Sequence, residues 1–378
     1  MKRLFAICLL LVSGIASAQP LVRWVIGPIR DALPDGRAMH LAGSFNRWNP
    51  ADSNTRFLPA GDGRYALSLR LPPGTYEYKL TLGNWDLVET DMRGKDRPNR
   101  ILVLEQDTVI TLQVDGWRDG LVHHSAGPGV RVIDTTFPMK ALGRTRRVWV
   151  RLPPGYDNTG KRYPVLYMHD GQNLFDDATA FSGEWGVDEY LDTSLAPPCI
   201  VVGVDNGGVY RIPEYAPFGF LFRSQDADTI NPEGAAYLQF LVTELKPFID
   251  AGFRTRSGRK HTYIAGSSLG GLISFFALLQ YPDVFGGAGI FSPSFWVGRE
   301  RLENSVKTKG WKVRSRTYFY AGTAEGKDMV SDLEAMVAVW RKVVGGPVGV
   351  TLAAGARHHE AAWRQAFPAF YEWLMKRR

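Results

Sequence analysis

The chain has 378 residues, of which 45% are hydrophobic, and a formal net charge of +7. This length exceeds the size at which a single hydrophobic core usually stops growing, so we expect more than one domain. The positive charge is dispersed along the chain, without a basic helix or a nucleic-acid-binding motif. This distribution argues against a nucleic-acid partner.

The first 18 residues have the three parts of an export signal. A charged start at residues 2–3 precedes the apolar run 4–12, and the small residues 16–18 form a cleavage site. The apolar run is too short to span a membrane, and no later segment approaches the required length. We therefore expect residues 1–18 to be removed and the product to be periplasmic or secreted.

Residues 19–115 have the pattern of a small β-domain. Short alternating strands are broken by turn residues such as Asp62-Gly63, and no segment has a helical period. This pattern predicts an all-β sandwich of the immunoglobulin-like type. We expect strands at residues 38–42, 65–69, 75–80 and 108–112.

Residues 116–135 are polar and contain glycine, and we expect them to form a linker. From residue 136 to residue 378, strands alternate with amphipathic helices, which predicts a doubly wound, mostly parallel sheet covered on both faces. The expected strands are 147–152, 164–168, 200–204, 262–265, 317–321 and 349–353, and the expected helices lie near 237–245, 272–279 and 363–374.

The sequence Gly-Ser-Ser-Leu-Gly at residues 266–270 lies between an apolar strand and a helix. A strand, a sharp turn and a helix are the context of a nucleophile elbow, in which a serine stands at the tip of the turn. Small residues flank that serine because so tight a turn leaves no room for a β-carbon. We therefore predict that Ser268 is a nucleophile and that the backbone N–H of Leu269 points at an acyl oxygen.

Two later strand ends carry the partners that such a serine needs. Ligands bind at the carboxyl ends of parallel strands, and Glu325 and His358 follow two of these ends. An imidazole accepts the serine proton, and a carboxylate fixes the tautomer of that imidazole. The order serine, acid, histidine matches that of α/β-hydrolases. His359 is an alternative base, and Asp328 is an alternative acid.

A second oxyanion donor is expected in the loop after the strand 164–168. This loop turns sharply at Gly171, so the N–H of Gln172 can converge with that of Leu269. A metal site is the minor alternative here, because no second histidine stands at ligand spacing; its ligands would be His169, Asp170, Asp176 and Asp177. We therefore predict neither a metal nor a cofactor.

Five motifs occur together in the second half of the chain: His-Asp-Gly-Gln-Asn-Leu-Phe at 169–175, Val-Gly-Val-Asp-Asn-Gly at 202–207, Gly-Ser-Ser-Leu-Gly-Gly at 266–271, Gly-Thr-Ala-Glu at 322–325 and His-His-Glu-Ala-Ala-Trp at 358–363. With them, residues 136–374 resemble the α/β-hydrolase family that includes feruloyl, acetyl-xylan and enterochelin esterases. The resemblance implies a serine carboxylic-ester hydrolase that works through an acyl-enzyme. It also implies that Ser268, His358 and Glu325 form the triad, although members more often carry aspartate as the acid.

The N-terminal domain carries the sequences Gly-Ser-Phe-Asn-Arg-Trp at 43–48, Tyr-Glu-Tyr-Lys-Leu at 76–80, Gly-Asn-Trp at 83–85 and Pro-Asn-Arg at 98–100. These resemble the glycogen-binding module of AMP-activated kinase β subunits. The resemblance implies that Trp48 and Trp85 stack on sugar rings while Lys79 and Asn99 bond to hydroxyls. The alternatives are that both tryptophans pack in a core and that the domain serves only for docking.

The remaining candidates concern the substrate. Each candidate for the pocket wall could equally be a core aromatic or a member of an ion pair: Trp185, Arg211, Glu214, Trp296 and Trp363. The leading expectation is hydrolysis of acetyl or feruloyl-type esters on a saccharide. The alternatives are a siderophore trilactone esterase and a non-catalytic carbohydrate-binding protein, and the intact serine, histidine and oxyanion set argues against the latter.

Overall fold

The computed structural model describes residues 19–27, 33, 37–91, 96–118, 124–222 and 228–376. The predicted export signal, residues 1–18, lies outside the described residues. By its internal contacts the chain divides into two units, Met1–Gly120 and Leu121–Arg378. None of the helices in the described part of the chain has the length and apolar composition that a membrane crossing requires.

The N-terminal unit is built from β-strands in two main sheets. One sheet has the order β3-β4-β1-β8 and the other the order β2-β5-β7, while β6 pairs with β9. Both main sheets contribute alternate side chains to one core, which includes Trp24, Leu67, Tyr78 and Leu102. The strands are β1 (Leu21–Ile26), β2 (His40–Gly43), β3 (Leu58–Pro59), β4 (Tyr65–Arg70), β5 (Gly74–Thr81), β6 (Glu89–Thr90), β7 (Arg100–Leu104), β8 (Thr108–Leu112) and β9 (Gly116–Trp117).

The C-terminal unit alternates strands with helices. Its strands are β10 (Val130–Met139), β11 (Arg144–Arg151), β12 (Val165–His169), β13 (Ile200–Val204), β14 (Phe220–Phe222), β15 (Asp228–Ile230), β16 (Thr262–Ser267), β17 (Gly287–Phe291), β18 (Arg316–Gly322) and β19 (Val348–Ala353). Its helices are α1 (Val187–Thr193), α2 (Arg211–Tyr215), α3 (Gly234–Phe240), α4 (Lys246–Gly252), α5 (Leu269–Gln280), α6 (Arg299–Lys309), α7 (Met329–Val343) and α8 (Glu360–Met375).

Eight of these strands form one sheet in the order β10-β11-β13-β12-β16-β17-β18-β19. The pairings β10·β11 and β11·β13 are antiparallel, and the others are parallel. The central strands β12, β13, β16 and β17 are buried throughout. Their successive side chains enter different cores: Val165 and Tyr167 join one cluster, and Leu166 and Met168 the other. Continuous apolar runs are needed here because both faces of the sheet are covered.

The predicted strands and helices of both units are confirmed, with shifts of a few residues at their ends. The predicted linker 116–135 differs from the structure. Gly116–Trp117 pairs with β6, and β10 begins at Val130 as an edge strand of the large sheet. Most residues of β10 are exposed or half-buried, so its sequence carries the polar composition of a surface segment. That composition resembles a linker because an edge strand buries few of its side chains.

Candidate active site

Ser268 stands at the turn between β16 and α5. Its φ of 58° and ψ of −121° are unusual for a residue with a side chain. The Ser268 N–H donates to the Phe291 carbonyl at 2.9 Å, and this hydrogen bond attaches the turn to the end of β17. Such strain persists only where the surrounding structure imposes it, and it raises the side chain above the end of the sheet.

Crowding explains the glycine before this serine. A β-carbon on Gly266 would lie 2.9 Å from the carbonyl carbon of Gly270 and 2.9 Å from Cδ2 of His169. Neither neighbour can move far, since one is backbone and the other is a buried ring. Glycine at position 266 is therefore required by the packing of the turn itself.

Glu325 and His358 are hydrogen-bonded to one another. Oε2 of Glu325 lies 2.9 Å from Nδ1 of His358. The Glu325 side chain is fully buried and that of His358 is 31% exposed. Because the bond to the carboxylate uses Nδ1, Nε2 is the ring nitrogen that can exchange a proton with a serine or a substrate.

The two alternatives from the sequence have other positions. His359 caps α8: its Nδ1 accepts from the Ala361 N–H at 3.1 Å, and its Nε2 lies 3.1 Å from Oγ of Ser182. Asp328 is exposed immediately before α7. The geometry thus favours His358 over His359 as a base and Glu325 over Asp328 as its partner.

The strand end between these groups carries residues that the sequence predictions missed. Ser292 follows β17, and its hydroxyl donates to Oε1 of Glu325 at 2.7 Å. Oγ of Ser294 lies 3.4 Å from Oγ of Ser268. The sequence signal was available, because Ser292 and Ser294 follow the apolar run 287–291 as the other site residues follow their own strands. The Phe291 carbonyl bonds Ser268, so this one segment connects the serine turn to Glu325.

The predicted oxyanion loop follows β12, the neighbour of β16 in the sheet. Asp170 has a φ of 55°, and Gly171–Asn173 form a single 3₁₀ turn. A β-carbon on Gly171 would lie 2.8 Å from the Val204 nitrogen, so only glycine allows the loop to lie against β13. The side chain of Gln172 is also tied down, because its Oε1 accepts from the Asn206 N–H at 3.2 Å.

An ion pair and a hydrogen bond fix the side chain of Asp170 at the start of this loop. Arg211 donates to both carboxylate oxygens of Asp170, at 2.7 and 2.9 Å, and Asn206 donates to Oδ1 at 2.8 Å. Burial favours the neutral acid, but the charge and hydrogen bonds of Arg211 outweigh it and hold the pKa of Asp170 below its ordinary value. Arg211, expected at the pocket wall, is therefore engaged in positioning the loop.

The residues considered for a metal are used in protein hydrogen bonds. Burial lowers the pKa of His169 to about 4, and Nδ1 of this uncharged ring lies 2.8 Å from the Tyr237 hydroxyl. Asp176 bonds to His124 at 2.6 Å, and Asp177 accepts from the Glu184 N–H at 3.1 Å. Among the described residues, the group of acidic side chains spaced as metal ligands is a different one, Glu184, Asp188 and Glu189.

The predicted aromatic wall is only partly at the surface. Trp185 and Trp363 are 3% and 4% exposed and lie in a core cluster, with ring centroids 5.7 Å apart. They are packing residues beneath the site, which corrects the expectation that they contact substrate. Glu214 is also buried and pairs with Arg144. Trp296 is 52% exposed and packs edge-on against Phe220.

In the N-terminal unit, the two predicted stacking residues lie side by side. The rings of Trp48 and Trp85 are both half-buried, with centroids 6.3 Å apart and planes at 41°. Nδ2 of Asn99 donates to Glu77 at 3.0 Å. Lys79 is only 1% exposed, so it does not share the surface that the two indoles form.

The fold is α/β-hydrolase-like, and together with the family match it identifies a carboxylic ester hydrolase. The family described as "Putative esterase" matches residues 139–374, well over half of the chain, and the chain belongs to this family. A second family, the pullulanase X25 domain, matches residues 35–115. The N-terminal unit is thus an all-β, carbohydrate-binding-like domain.

Three relatives illustrate both halves of the chain. The uncharacterized protein YbbA of Bacillus subtilis is 25% identical over 239 residues, which are 61% of this chain and 92% of YbbA. An endo-1,4-β-xylanase/feruloyl esterase of Xylanibacter ruminicola is 25% identical over 250 residues, 64% of this chain and 31% of that protein. An α-amylase of Niallia circulans is 41% identical over 90 residues, 23% of this chain and 7% of the amylase.

Two solved structures share the fold. The IroE-like serine hydrolase of Shewanella oneidensis has a TM-score of 0.55 and 18% identity, covering 65% of this chain and 79% of its own. The enterochelin esterase of Shigella flexneri has a TM-score of 0.54 and 15% identity, covering 89% of this chain and 87% of its own. At such identities the likeness concerns the fold.

Proposed function

We propose that this esterase cleaves its substrate through an acyl-enzyme formed on Ser268. His358 Nε2 accepts the serine proton as Oγ attacks the ester carbon, and it returns that proton to the departing alcohol. His358 then accepts a proton from the water that attacks the acyl carbon, and Ser268 leaves with its proton restored. The observation that carries the proposal is the 2.9 Å bond between Glu325 and His358, which one strand end links to the strained Ser268 turn.

The other groups of the site stabilise the charges that develop during the reaction. Glu325 holds the imidazole in the tautomer with a free Nε2 and stabilises its cation during attack. The backbone N–H groups of Leu269 and Gln172 donate to the oxyanion that forms on the ester carbonyl. Both belong to turns at the carboxyl ends of neighbouring strands, β16 and β12, and this supports their convergence on one atom.

For the substrate, we propose an acetyl or feruloyl-type ester carried by a saccharide. The match to the pullulanase X25 domain and the adjacent indoles of Trp48 and Trp85 support a carbohydrate. The half-exposed ring of Trp296 follows Ser294, which contacts the nucleophile, and it supports an aromatic acyl group or sugar at this point. We interpret the N-terminal unit as an immunoglobulin-like sandwich and residues 1–18 as an export signal for a periplasmic or secreted enzyme.

The nucleophile and the base can be tested with neighbouring variants. Ser268→Ala and His358→Asn should each abolish cleavage of p-nitrophenyl acetate, because the acyl-enzyme needs both groups. His359→Asn is the matched control, since asparagine also caps a helix, and it should retain most of the activity. Activity that survives Ser268→Ala would reject the proposal, and inactivity of His359→Asn alone would transfer the role of base to His359.

The substrate class needs a separate measurement. Initial rates on acetylated xylan, feruloylated xylan and a catecholate trilactone should rank the saccharide esters first. Faster turnover of the trilactone would replace the saccharide ester with a siderophore as substrate. If a fluorophosphonate probe fails to label Ser268, the chain is a binding protein rather than an enzyme of this mechanism.

A further inference from the structure

Ser292 has an unusual backbone and a buried side chain. Its φ is 42°, a left-handed value that non-glycine residues seldom adopt, and it is fully buried. Its N–H donates to the Tyr320 carbonyl at 2.7 Å, which ties the strained residue to β18. A serine kept at such a position calls for an explanation in what its hydroxyl does.

The hydroxyl of Ser292 is the middle of a chain of hydrogen bonds. Nε1 of Trp363 lies 2.9 Å from Oγ of Ser292, which in turn lies 2.7 Å from Oε1 of Glu325. An indole N–H can only donate, so the single proton of the hydroxyl goes to the carboxylate. The other oxygen of Glu325 bonds His358. The donors therefore converge on the carboxylate of Glu325, the indole through Ser292 on one oxygen and the Nδ1–H of His358 on the other.

Trp363 also contacts the far end of this chain. Its ring packs edge-on against the ring of His358, with centroids 5.0 Å apart and planes at 86°. The indole is 4% exposed and is fixed in turn by the rings around it. One side chain thus restrains the imidazole directly and the carboxylate through Ser292.

A glutamate needs this support more than an aspartate would. Its side chain has one more rotatable bond, and ordering that bond costs conformational entropy. Oε1 of Glu325 accepts from both the Ser292 hydroxyl and the Gly322 N–H, the latter at 2.5 Å. These two donors remove the extra freedom and leave Oε2 directed at His358.

We propose that Ser292 and Trp363 are positioning residues that orient Glu325 and His358 for proton transfer. This inference rests on the proposed function, in which His358 is the base. A displacement of about 1 Å in a catalytic group can cost roughly 100-fold in rate. We therefore expect the loss of either hydrogen bond to lower kcat about 10- to 100-fold and to leave KM within about twofold.

Three variants interrupt this series of hydrogen bonds with little change in side-chain shape. Trp363→Phe removes the indole donor and retains a ring. Ser292→Ala removes the hydroxyl, and Ser292→Gly does so with a residue that suits a φ of 42°, which protects against failure to fold. The matched controls are Trp340→Phe, a buried indole in the other core whose Nε1 has no hydrogen bond, and Ser315→Ala, a buried hydroxyl that precedes β18 at the opposite end of the sheet.

Two readouts separate positioning from packing. A fixed carboxylate stabilises the imidazolium, so the acid limb of the plot of kcat/KM against pH should move to lower pH when Glu325 is released. Partial unfolding would reduce the amplitude without moving this limb. The double variant Ser292→Gly/Trp363→Phe should also be no slower than the slower single variant, because both act through one chain.

The same assay includes the wild type and Ser268→Ala. If Ser268→Ala is inactive but the three variants behave like Trp340→Phe and Ser315→Ala, the positioning roles are wrong and the proposed function stands. If the acid limb does not move and the losses of the double variant multiply, the positioning roles are equally wrong. If Ser268→Ala retains activity, the proposed function itself is wrong.

Discussion

The two halves of the proposed active site are held in place by different means. On the acid–base side, Glu325 is fixed by an N–H and a hydroxyl, with a neutral indole behind them. On the oxyanion side, Asp170 is fixed by a bidentate ion pair with Arg211. Neutral donors orient the carboxylate and leave its charge for the imidazole, whereas the ion pair neutralises Asp170 and uses it only as a support. The comparison therefore predicts that damage on the first side lowers activity and that damage on the second lowers stability.

The largest effect is expected on the acid–base side. Glu325→Gln keeps the shape of the side chain but removes the charge and offers His358 an amide. We expect kcat to fall roughly 1,000- to 10,000-fold, because the imidazole loses both its tautomer and the partner for its cation. The melting temperature should change little. Steady-state kinetics and calorimetry on the same preparation measure both quantities.

Asp328→Asn is the control for this variant, since Asp328 is the other acid in the same segment and is exposed. It should keep kcat within about twofold of the wild type. An inactive Asp328→Asn beside an active Glu325→Gln would assign the acid to Asp328 and remove the basis of the comparison.

The next effect concerns the oxyanion side. Arg211→Ala leaves the carboxylate of Asp170, 9% exposed, without its cation. Removing one partner of a buried pair typically costs about 3 kcal/mol or more, because the other charge stays buried and uncompensated. We expect a large drop in the free energy of unfolding, measured by urea denaturation.

Arg131→Ala is a matched loss of an arginine ion pair. Arg131 and Asp157 are 56% and 70% exposed and 3.4 Å apart, and such exposed pairs contribute about 0.5 kcal/mol or less. If both variants cost the same free energy, the ion pair behind the oxyanion loop has no special structural role, and the contrast between the two sides disappears.

A smaller effect on stability, with a definite pH dependence, is expected between the loop that follows β12 and helix α8. Glu184 lies in the loop after the oxyanion turn, and its carboxylate bonds Arg364 of α8 at 3.3 Å. Burial, followed by its interaction with Glu189, raises the pKa of Glu184 above its ordinary value of 4.5. The folded state therefore retains a proton that the unfolded state releases, so stability falls as pH rises from about 4.5 toward the raised pKa.

Glu184→Gln should remove this dependence. We expect the variant to gain melting temperature over the wild type at pH 8 and to gain little at pH 4.5. Glu334→Gln, an exposed glutamate of α7, should show no such trend. A gain that grows toward low pH would contradict the direction of the pKa shift.

The smallest effect is expected in the N-terminal unit, where the predicted ligand contacts are two half-buried rings. Trp85→Ala should weaken binding of maltoheptaose or xylohexaose by about fivefold, since the loss of one stacking contact costs on the order of 1 kcal/mol. Trp311→Ala, which removes a more exposed indole from the other unit, should not change affinity. Calorimetry distinguishes them, and unchanged affinity in Trp85→Ala would favour a docking role for the domain.

Much of the site could be predicted from the sequence, because the candidate catalytic residues follow apolar runs that were predicted as strands. Ser268 and Glu325 stand just beyond the buried strands β16 and β18, His358 follows the edge strand β19, and parallel strands bring their carboxyl ends together. Burial could not be predicted equally well for the aromatic residues. Trp185 and Trp363 are core residues and Trp296 is half-exposed, since exposure depends on which distant elements pack against each ring.

The sequence by itself determined the order of the elements, the two-part organisation and the glycines of the serine turn, because periodicity and steric limits act over a few neighbouring residues. Only the tertiary structure decided that His358, and not His359, bonds a carboxylate, and that this carboxylate is Glu325 and not Asp328. It also decided that Ser292 and Trp363 support that carboxylate through hydrogen bonds. Those contacts join residues 33 and 71 positions apart. Separations of that size are closed by the packing of β17, β18 and α8, for which no local pattern provides a signal.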